Sequence, residues 1–453
     1  MSDCARQLYN ACLREALKRL HRIQNTKEYQ RAIRLSKATH EDERFAIFEA
    51  LNEKYGFTAN SMEHFGIKTR NDSKFICNHI GSLVTEKIAK RAFQSVQQLA
   101  FGKAKRVHYK RKGEFVSLEG KNNSTFLRFI NGYAQITDLT IPRYPTNSKR
   151  YIRISCQFRK NDDAMNYALT KRIKFCRLIC KKIKNRNIFY LQIIFAGKPF
   201  QKFELGKNIT GIDIGPSTIA IVNKDRAILK VFCEDLNFMQ QEKRQLQRKM
   251  ERQRRASNPH KYNKNGTIKT NNHEKWICSK RYYRTKNEKA ELSRKLAAKR
   301  KELHNREINQ IVRTSKTVKF ERISYIWFQK HYGKSVAKYA PGLFISLLKW
   351  KIVNYGGSFI EFSPFNTKLS QSCICGKLEK KPRNQRWHHC ECGINVQRDL
   401  FSAFLAIFVT SQGILAIDNA RNNFPVYAPL LDGQMIYLRK NKHHIVTSRS
   451  FGI

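Results

Sequence analysis

The sequence predicts a multidomain α/β protein, and three changes of pattern along the chain carry that prediction. Residues 1–108 repeat apolar side chains at helical spacing, residues 109–205 form short β-rich segments, and residues 206–412 mix strands with helices. A chain of 453 residues with 41% hydrophobic residues can fill more than one core and is too apolar for a disordered polycation. We therefore expect several folded units in series.

Helices account for the first segment. Leu8, Cys12 and Ala16 recur at i, i+4 spacing within an amphipathic pattern that begins near the first residue. Two later apolar faces, in residues 45–51 and 76–93, repeat this arrangement. Polar and basic faces lie opposite, so the segment is predicted to be a helical lobe that carries no catalytic group of its own.

Strands account for the second segment. Six stretches rich in β-branched and aromatic residues are separated by Gly, Asn and Pro turns, which predicts an antiparallel barrel or sandwich. Basic residues such as Arg128 and Lys174 alternate with apolar ones. This alternation fits either a half-solvated sheet or a strand face that lies on a nucleic-acid backbone.

The third segment opens with three short strands. NITGIDI, TIAIV and AILKVF are joined by the turns GPS and NKD, which predicts an antiparallel meander over residues 206–233. TVKFE predicts another strand, ending at Glu321, and is followed by a predicted loop with Trp327 and Tyr332. The stretches GLFISLLKWKIVNYG and SFIEFS predict a helix and a further strand. LFSAFLAIFV, residues 400–409, has about half the length of a membrane span and predicts a buried helix.

Residues 238–313 are very basic and predict two helices separated by a polar gap from Ser257 to Asn272. Leu292, Leu296 and Leu303 give only a narrow apolar stripe, so the basic faces are wide. Such faces are either solvated charge or phosphate-binding surfaces, and nearby aromatic residues favour the second interpretation.

The charge of the whole chain points to a polyanionic partner. The 88 Lys and Arg residues against 35 Asp and Glu give a formal net charge of +53. Such a charge repels itself, and nucleic acid bound to a basic groove relieves the repulsion through counterion release. The alternative is that charge serves solubility alone, for which a small domain needs a net charge of only about 2–8. No secretory signal is visible, so we expect a cytoplasmic protein associated with nucleic acid, in a prokaryotic nucleoid.

Three carboxylates end apolar elements in a chain that has few acids. Asp213 lies within the strand pattern GIDIG, Glu321 ends KFE, and Asp399 precedes the apolar helix. A buried acid is costly unless it is paired or holds a metal, and carboxylate oxygens are the ligands that magnesium prefers. Taken singly, Asp213 fits a satisfied structural acid equally well, and Asp399 fits a helix N-cap. Together they predict a magnesium site, with two ions that support phosphodiester cleavage.

Two short cysteine pairs, CICG and CECG, are each followed by glycine and are separated by KLEKKPRNQRWHH. They predict the two knuckles of a structural zinc ribbon, although the usual spacing is Cys-x-x-Cys and here it is Cys-x-Cys. His388 and His389 are possible substitute ligands, and a reduced thiol hairpin without metal is the alternative. The predicted zinc ligands are Cys373, Cys375, Cys390 and Cys392. The eight other cysteines are expected to be reduced and structural.

The order of these motifs resembles a known family. GIDIG at the start of a strand meander, KFE, the glycine-bearing cysteine ribbon and QRDLFSAFLA resemble the three RuvC motifs and inserted ribbon of the TnpB transposon-encoded nucleases. The compact type V CRISPR effectors are relatives with the same plan, and LSQSCICG is similar to the family's approach to its first knuckle. The resemblance covers about residues 208–409 specifically and the first 200 residues in outline.

This resemblance implies an RNase H-like (RuvC) nuclease domain with an inserted zinc ribbon, an N-terminal helical lobe and a β-barrel-like wedge domain. It implies that Asp213, Glu321 and Asp399 are the catalytic, magnesium-binding acids. It also implies RNA-guided cleavage of DNA, with guide RNA and target DNA as partners and no small-molecule substrate or membrane. The implied boundaries are 1–108 for the helical lobe, 109–205 for the wedge, 206–372 and 393–412 for the nuclease domain, 373–392 for the ribbon and 413–453 for a tail.

Other functions remain open at this stage. A transposon-associated DNA-binding protein, or a guided binder that does not cut, shares the charge and the ribbon. A transposase that joins strands and a general RNA-binding protein are also compatible with the charge. The three acids favour cutting, and the tail, with its His443–His444 pair, matches none of the motifs.

Overall fold

The computed structural model describes residues 1–141, 150–159, 161–270, 274–382 and 384–441. Two compact units divide the chain, residues 1–200 and residues 201–453. His443 and His444 lie outside the described residues. In the described part of the chain, no helix has the length and apolar character that crossing a membrane requires.

The first unit joins helices and strands around one hydrophobic core. Its helices are α1 (Ser2–Gln24), α2 (Lys27–Arg34), α3 (Glu41–Lys54), α4 (Ala59–Asn71), α5 (Lys74–Cys77), α6 (Ser82–Ala100) and α7 (Asp163–Leu169). Its strands are β1 (Ser117–Glu119), β2 (Leu127–Ile130), β3 (Tyr133–Thr137), β4 (Tyr151–Ser155), β5 (Ile173–Ile183) and β6 (Arg186–Phe195). The predicted N-terminal helices are confirmed, since Leu8, Cys12 and Ala16 of α1 are fully buried.

The strands of this unit form two antiparallel sheets of three, in the orders β1-β5-β6 and β2-β3-β4. The predicted antiparallel pairing is confirmed. Leu118 on β1 and Leu127 on β2 lie in the same core as the buried face of α1. Helices and sheets of this unit are therefore stabilised by shared burial of apolar surface.

The second unit is built on a five-stranded mixed sheet of order β11-β10-β7-β8-β9. Its strands are β7 (Asn208–Ile214), β8 (Thr218–Val222), β9 (Ala227–Val231), β10 (Ser315–Glu321), β11 (Ser358–Phe362), β12 (Trp387–His389) and β13 (Asn395–Gln397). Its helices are α8 (Asn237–Ala256), α9 (Lys280–Thr314), α10 (Tyr325–Tyr339), α11 (Pro341–Asn354), α12 (Pro364–Thr367), α13 (Arg398–Ile407) and α14 (Ile417–Lys440).

Most element predictions for this unit are confirmed. β7, β8 and β9 pair antiparallel as a meander, while β10 pairs in parallel with both β7 and β11. The two basic helices and the buried helix α13 are also present, and every residue of α13 from Leu400 to Ile407 is buried.

One prediction for this unit is wrong, and one helix lies where the sequence predicted no element. The stretch with Trp327 and Tyr332 was expected to be a loop, and it forms α10, which is kinked at Tyr332 (φ −128°, ψ 35°). Its aromatic residues do not follow a simple helical stripe, which is why the pattern suggested a loop. The tail matched no motif, yet it contains the long helix α14, whose Tyr427 and Leu431 are buried.

Candidate functional site

Asp213 lies on β7 where helix α13 crosses the sheet at close range. A β-carbon built on Gly211 would lie only 1.9 Å from the carbonyl oxygen of Ala403, so only glycine permits this approach. Asp213 points to the same face of the sheet as Gly211, two residues along the strand. It therefore faces the first turn of α13, one helical turn before Ala403, and that turn carries Asp399.

Glu321 lies beside Asp213. Strands β7 and β10 run parallel with Ile212 paired to Phe320, so the next residues of the two strands are neighbours with side chains on one face. Two strands and one helix thus bring the three predicted acids together, although Asp213 and Asp399 are far apart in sequence.

Asp399 is not the cap of its helix. Gln397 is the N-cap residue, and its side-chain oxygen accepts a hydrogen bond of 2.8 Å from the backbone N–H of Leu400. The capping interpretation of Asp399 is therefore wrong. Its carboxylate instead lies 3.8 Å from a guanidinium nitrogen of Arg386 and 3.6 Å from one of Arg398.

Burial and mutual repulsion control the charge of the acids. Burial raises the pKa of Asp213 well above its usual range, and the carboxylates of Asp399 and Glu321 raise it further. Arg398 and Arg386 act in the opposite direction. Burial also raises the pKa of Glu321 to about 7. The cluster therefore tends to hold protons at neutral pH, and a bound cation would release them.

The three acids are close but not fully converged. Among the residues that the structure describes, only the four ribbon cysteines form a group of potential ligands whose atoms all lie within 4.8 Å of one another. The oxygens of Asp213, Glu321 and Asp399 are therefore not all within that distance.

Lys319 fixes the far end of α13, the helix that carries Asp399. The Lys319 side chain donates hydrogen bonds of 2.7 Å to the carbonyl of Ile407 and 2.5 Å to that of Val409, at the end of α13. Lys319 is paired with Gly211 across the two strands and precedes Glu321 by two residues. The sequence analysis missed Lys319 and Arg386, because their contacts join residues that are distant along the chain.

The four ribbon cysteines form a compact tetrad. The Sγ atoms of Cys373 and Cys392 are 3.5 Å apart, and those of Cys375 and Cys390 are 3.6 Å apart. The glycine after each pair adopts a left-handed backbone, with φ of +91° at Gly376 and +89° in the second knuckle. Each knuckle is closed by backbone hydrogen bonds, such as that from Cys373 N–H to Lys377.

This tetrad fits zinc. In a tetrahedral site with Zn–S bonds of about 2.3 Å, sulfur atoms lie about 3.8 Å apart, close to the observed distances. Hydrogen bonding from the backbone of Cys392 lowers the pKa of Cys390 to about 7, which favours its thiolate, whereas burial raises the pKa of Cys373 and Cys392. His388 is buried against Phe401 and bonded to Lys381, so it is not one of the grouped ligands.

Comparisons with known proteins support the resemblance found in the sequence. Residues 342–405 match the family model described as Cas12f1-like, TNB domain. This match confirms the resemblance to the compact type V effectors, over a stretch that contains the cysteine tetrad and Asp399. Among curated proteins, none matches the chain.

Two solved structures were also compared with the chain. A cryo-EM structure of a Cas12f1–sgRNA–target DNA complex is 14% identical, with a TM-score of 0.47, over 89% of this chain and 81% of that one. A cryo-EM structure of a CRISPR–Cas12f ternary complex is also 14% identical, with a TM-score of 0.28, over 88% of this chain and 80% of that one. Neither TM-score reaches 0.5.

Proposed function

We propose that this chain is an RNA-guided, magnesium-dependent DNA endonuclease of the compact type V effector kind, with Asp213, Glu321 and Asp399 as its catalytic acids. The observation that carries the proposal is the meeting of these acids on one face of a mixed sheet, at the start of a buried helix. The Cas12f1-like match over residues 342–405 supports it, because that stretch includes Asp399.

The donor set suits magnesium. Magnesium takes oxygen ligands and keeps several waters, so it needs only a few carboxylates. Two ions about 3.5–4 Å apart, each about 2.1 Å from its ligands, can be held by carboxylates up to about 8 Å apart. Bound magnesium would supply an activated water and charge stabilisation for the leaving oxygen.

The chain's own groups prepare this chemistry. Asp213 and Glu321 are held in place by neighbouring strands, and Asp399 by a helix whose end is anchored through Lys319. Burial keeps the surrounding dielectric low, which strengthens each attraction between carboxylate and cation. Arg386 and Arg398 offset part of the negative charge near Asp399.

The remaining parts serve guide RNA and target DNA in this proposal. Residues 206–372 and 393–412 form a RuvC-like nuclease domain, and residues 373–392 form a zinc ribbon that stiffens the approach to Asp399. Residues 1–108 are a recognition-like helical lobe, and residues 109–205 are a wedge-like domain. The basic faces of α8 and α9 bind phosphates, since α8 has no buried residue and α9 only a narrow buried stripe.

The test compares the wild-type chain with Asp213→Asn. The wild type, purified with its bound RNA and supplied with DNA that matches that RNA, should cut in magnesium and not in EDTA. Asp213→Asn should lose at least about 100-fold in cutting rate and keep its DNA affinity, because a metal ligand goes while phosphate contacts remain.

The same experiment separates the alternatives. A chain that binds matching DNA but never cuts would be a guided binder or a transposon-associated DNA-binding protein. Random RNA fragments in place of one dominant structured species, with no effect of Asp213→Asn, would indicate a general RNA-binding protein. Either result contradicts the proposal.

A further inference from the structure

Exposed apolar side chains lie where the parallel strands β10 and β11 end. Ile326 on α10 and Phe365 on α12 are each 84% exposed, and Tyr332 is 38% exposed. We use the name strand-end aromatic surface for the rings of Trp327, Tyr332 and Phe365 together with the aliphatic side chain of Ile326. Large apolar side chains this exposed need an explanation when they lie near one another.

This surface lies at the same end of the sheet as Glu321. Glu321 is paired with Phe362, so β10 and β11 finish side by side. Helix α10 begins at Tyr325, directly after β10, and the short helix α12 begins at Pro364, directly after β11. Both exposed segments therefore leave the sheet next to the acids.

The rings on α10 are gathered on one side. The Trp327 and His331 rings stack with centroids 4.2 Å apart, and Tyr332 lies 6.0 Å from Trp327. Residues five apart on a regular helix point in clearly different directions. The non-helical backbone of Tyr332 is what allows its ring to join this group.

The segment that carries α10 is basic, although Glu321 and Glu361 flank it in sequence. No Asp or Glu occurs from Arg322 through Ile360, whereas Lys330 and Lys334 are exposed on α10 itself. Aromatic faces interleaved with cations fit a ligand that has both flat rings and phosphates. Unpaired bases of a nucleic-acid strand have this chemistry, whereas bases inside a duplex are stacked and inaccessible.

We propose that the strand-end aromatic surface stacks unpaired bases of a single nucleic-acid strand beside the acid cluster. The role of feeding that strand to the acids rests on the proposed nuclease function, but the stacking itself does not. Phe365 provides the most accessible ring after β11, Trp327 and Tyr332 provide a second stacking position on α10, and the lysines of α10 contact the phosphates.

The test uses the full-length chain and a short single-stranded DNA oligonucleotide, compared with an abasic strand of equal length. At high salt, where phosphate contacts are weakened, wild type should bind the base-bearing strand more tightly than the abasic one. Phe365→Ala should weaken binding of the base-bearing strand roughly 5- to 100-fold and leave the abasic strand unchanged. Phe365→Trp should retain tight binding.

Trp350→Ala is the matched control. Trp350 is also an exposed aromatic, at 57%, but it lies near the end of α11 that leads into the start of β11, whereas Phe365 follows the end of that strand. The Trp350→Ala variant should bind the base-bearing and the abasic strand like wild type. Phe365 is so exposed that its replacement should leave the fold intact, and circular dichroism checks this.

Three results would overturn the proposal: no effect of Phe365→Ala, an equal loss for base-bearing and abasic strands, or the same loss from Trp350→Ala. Asp213→Asn separates this proposal from the nuclease function. If cutting depends on Asp213 but Phe365→Ala binds normally, only the surface is excluded. If stacking persists while cutting does not depend on Asp213, only the nuclease function is excluded.

Discussion

At the residue scale, the contact between β7 and α13 depends on a missing side chain. Gly211 leaves room for the Ala403 carbonyl, and this sets how near Asp399 comes to Asp213. The neighbouring pair Lys319 and Ile407 fixes the other end of the helix. The position of the acids is therefore set by backbone packing as much as by the acids themselves.

We expect Gly211→Ala to disrupt this contact. The added carbon would meet a backbone oxygen, which cannot rotate away, so α13 must shift at a cost of about 3 kcal/mol or more. Amide hydrogen exchange along α13 should become faster, and the urea midpoint of the second unit should fall.

Gly433→Ala on α14 is the control for that variant. A carbon added there meets nothing within 4 Å, so alanine should be neutral or stabilise the helix by up to about 1 kcal/mol. Equal exchange along α13 in both variants would show that the close approach at Gly211 is not structurally important.

The sequence predicted the acids better than it predicted their surroundings. Asp213 and Glu321 stood out because each ends or interrupts an apolar strand. The role of Asp399 stayed ambiguous, since an acid at a helix start commonly caps it, and only the structure identifies Gln397 as the cap. The contact of Arg386 with Asp399 depends on how the ribbon folds back, which no local pattern encodes.

At the scale of elements, regular periodicity decided which predictions were right. The meander β7–β9 and helix α13 have strong patterns and were predicted. The sequence of α10 predicts a loop because its aromatic residues follow no single helical stripe, and the structure shows a helix that is kinked at Tyr332. Helix α14 contains Pro425 and Pro429, residues that normally end a helix, so its length could not be read from the sequence.

The ribbon offers a test at this scale. Zinc bound by the four cysteines should appear in the purified chain at about one ion per molecule and disappear with Cys375→Ser. Because a structural metal stabilises its fold, the backbone amides of residues 387–397 should then exchange faster. Elemental analysis and hydrogen exchange measure the two effects.

Cys180→Ser is the matched control for the ribbon. Cys180 is a partly buried cysteine on β5 of the first unit, outside the tetrad. This variant should keep its zinc and normal ribbon exchange. A wild-type chain without zinc, or full zinc content in Cys375→Ser, would contradict the assignment.

At the scale of the whole molecule, charge dominates. A net charge of +53 is spread over two units, and the basic helices α8 and α9 carry long exposed faces. Neither composition nor pattern could specify how such faces are arranged around a ligand, because charge constrains the partner and not the fold.

Salt dependence tests the role of α9. The affinity for single-stranded nucleic acid should fall linearly with salt on a log–log plot, by a slope of about 0.7 for each phosphate contact. Replacing exposed Arg284 and Lys295 with Gln should reduce the slope by about 1 to 2. Arg31→Gln, which removes an exposed cation already paired with Glu43 at 2.8 Å, should not change it. A slope that is unaffected by the α9 substitutions would remove this helix from the binding surface.

The junction at Gln397 limits how this protein can vary in length. Gln397 is both the last residue of β13 and the N-cap of α13, so no linker separates the ribbon from the helix. One residue inserted between Gln397 and Asp399 would turn the ribbon, with its Arg386, by about 100° around the helix axis relative to Asp399, because the contacts at Ala403 and Ile407 hold the helix itself. Insertions and deletions can be accommodated only farther back, in the loop before β12, where a longer or shorter chain leaves the helix phase untouched.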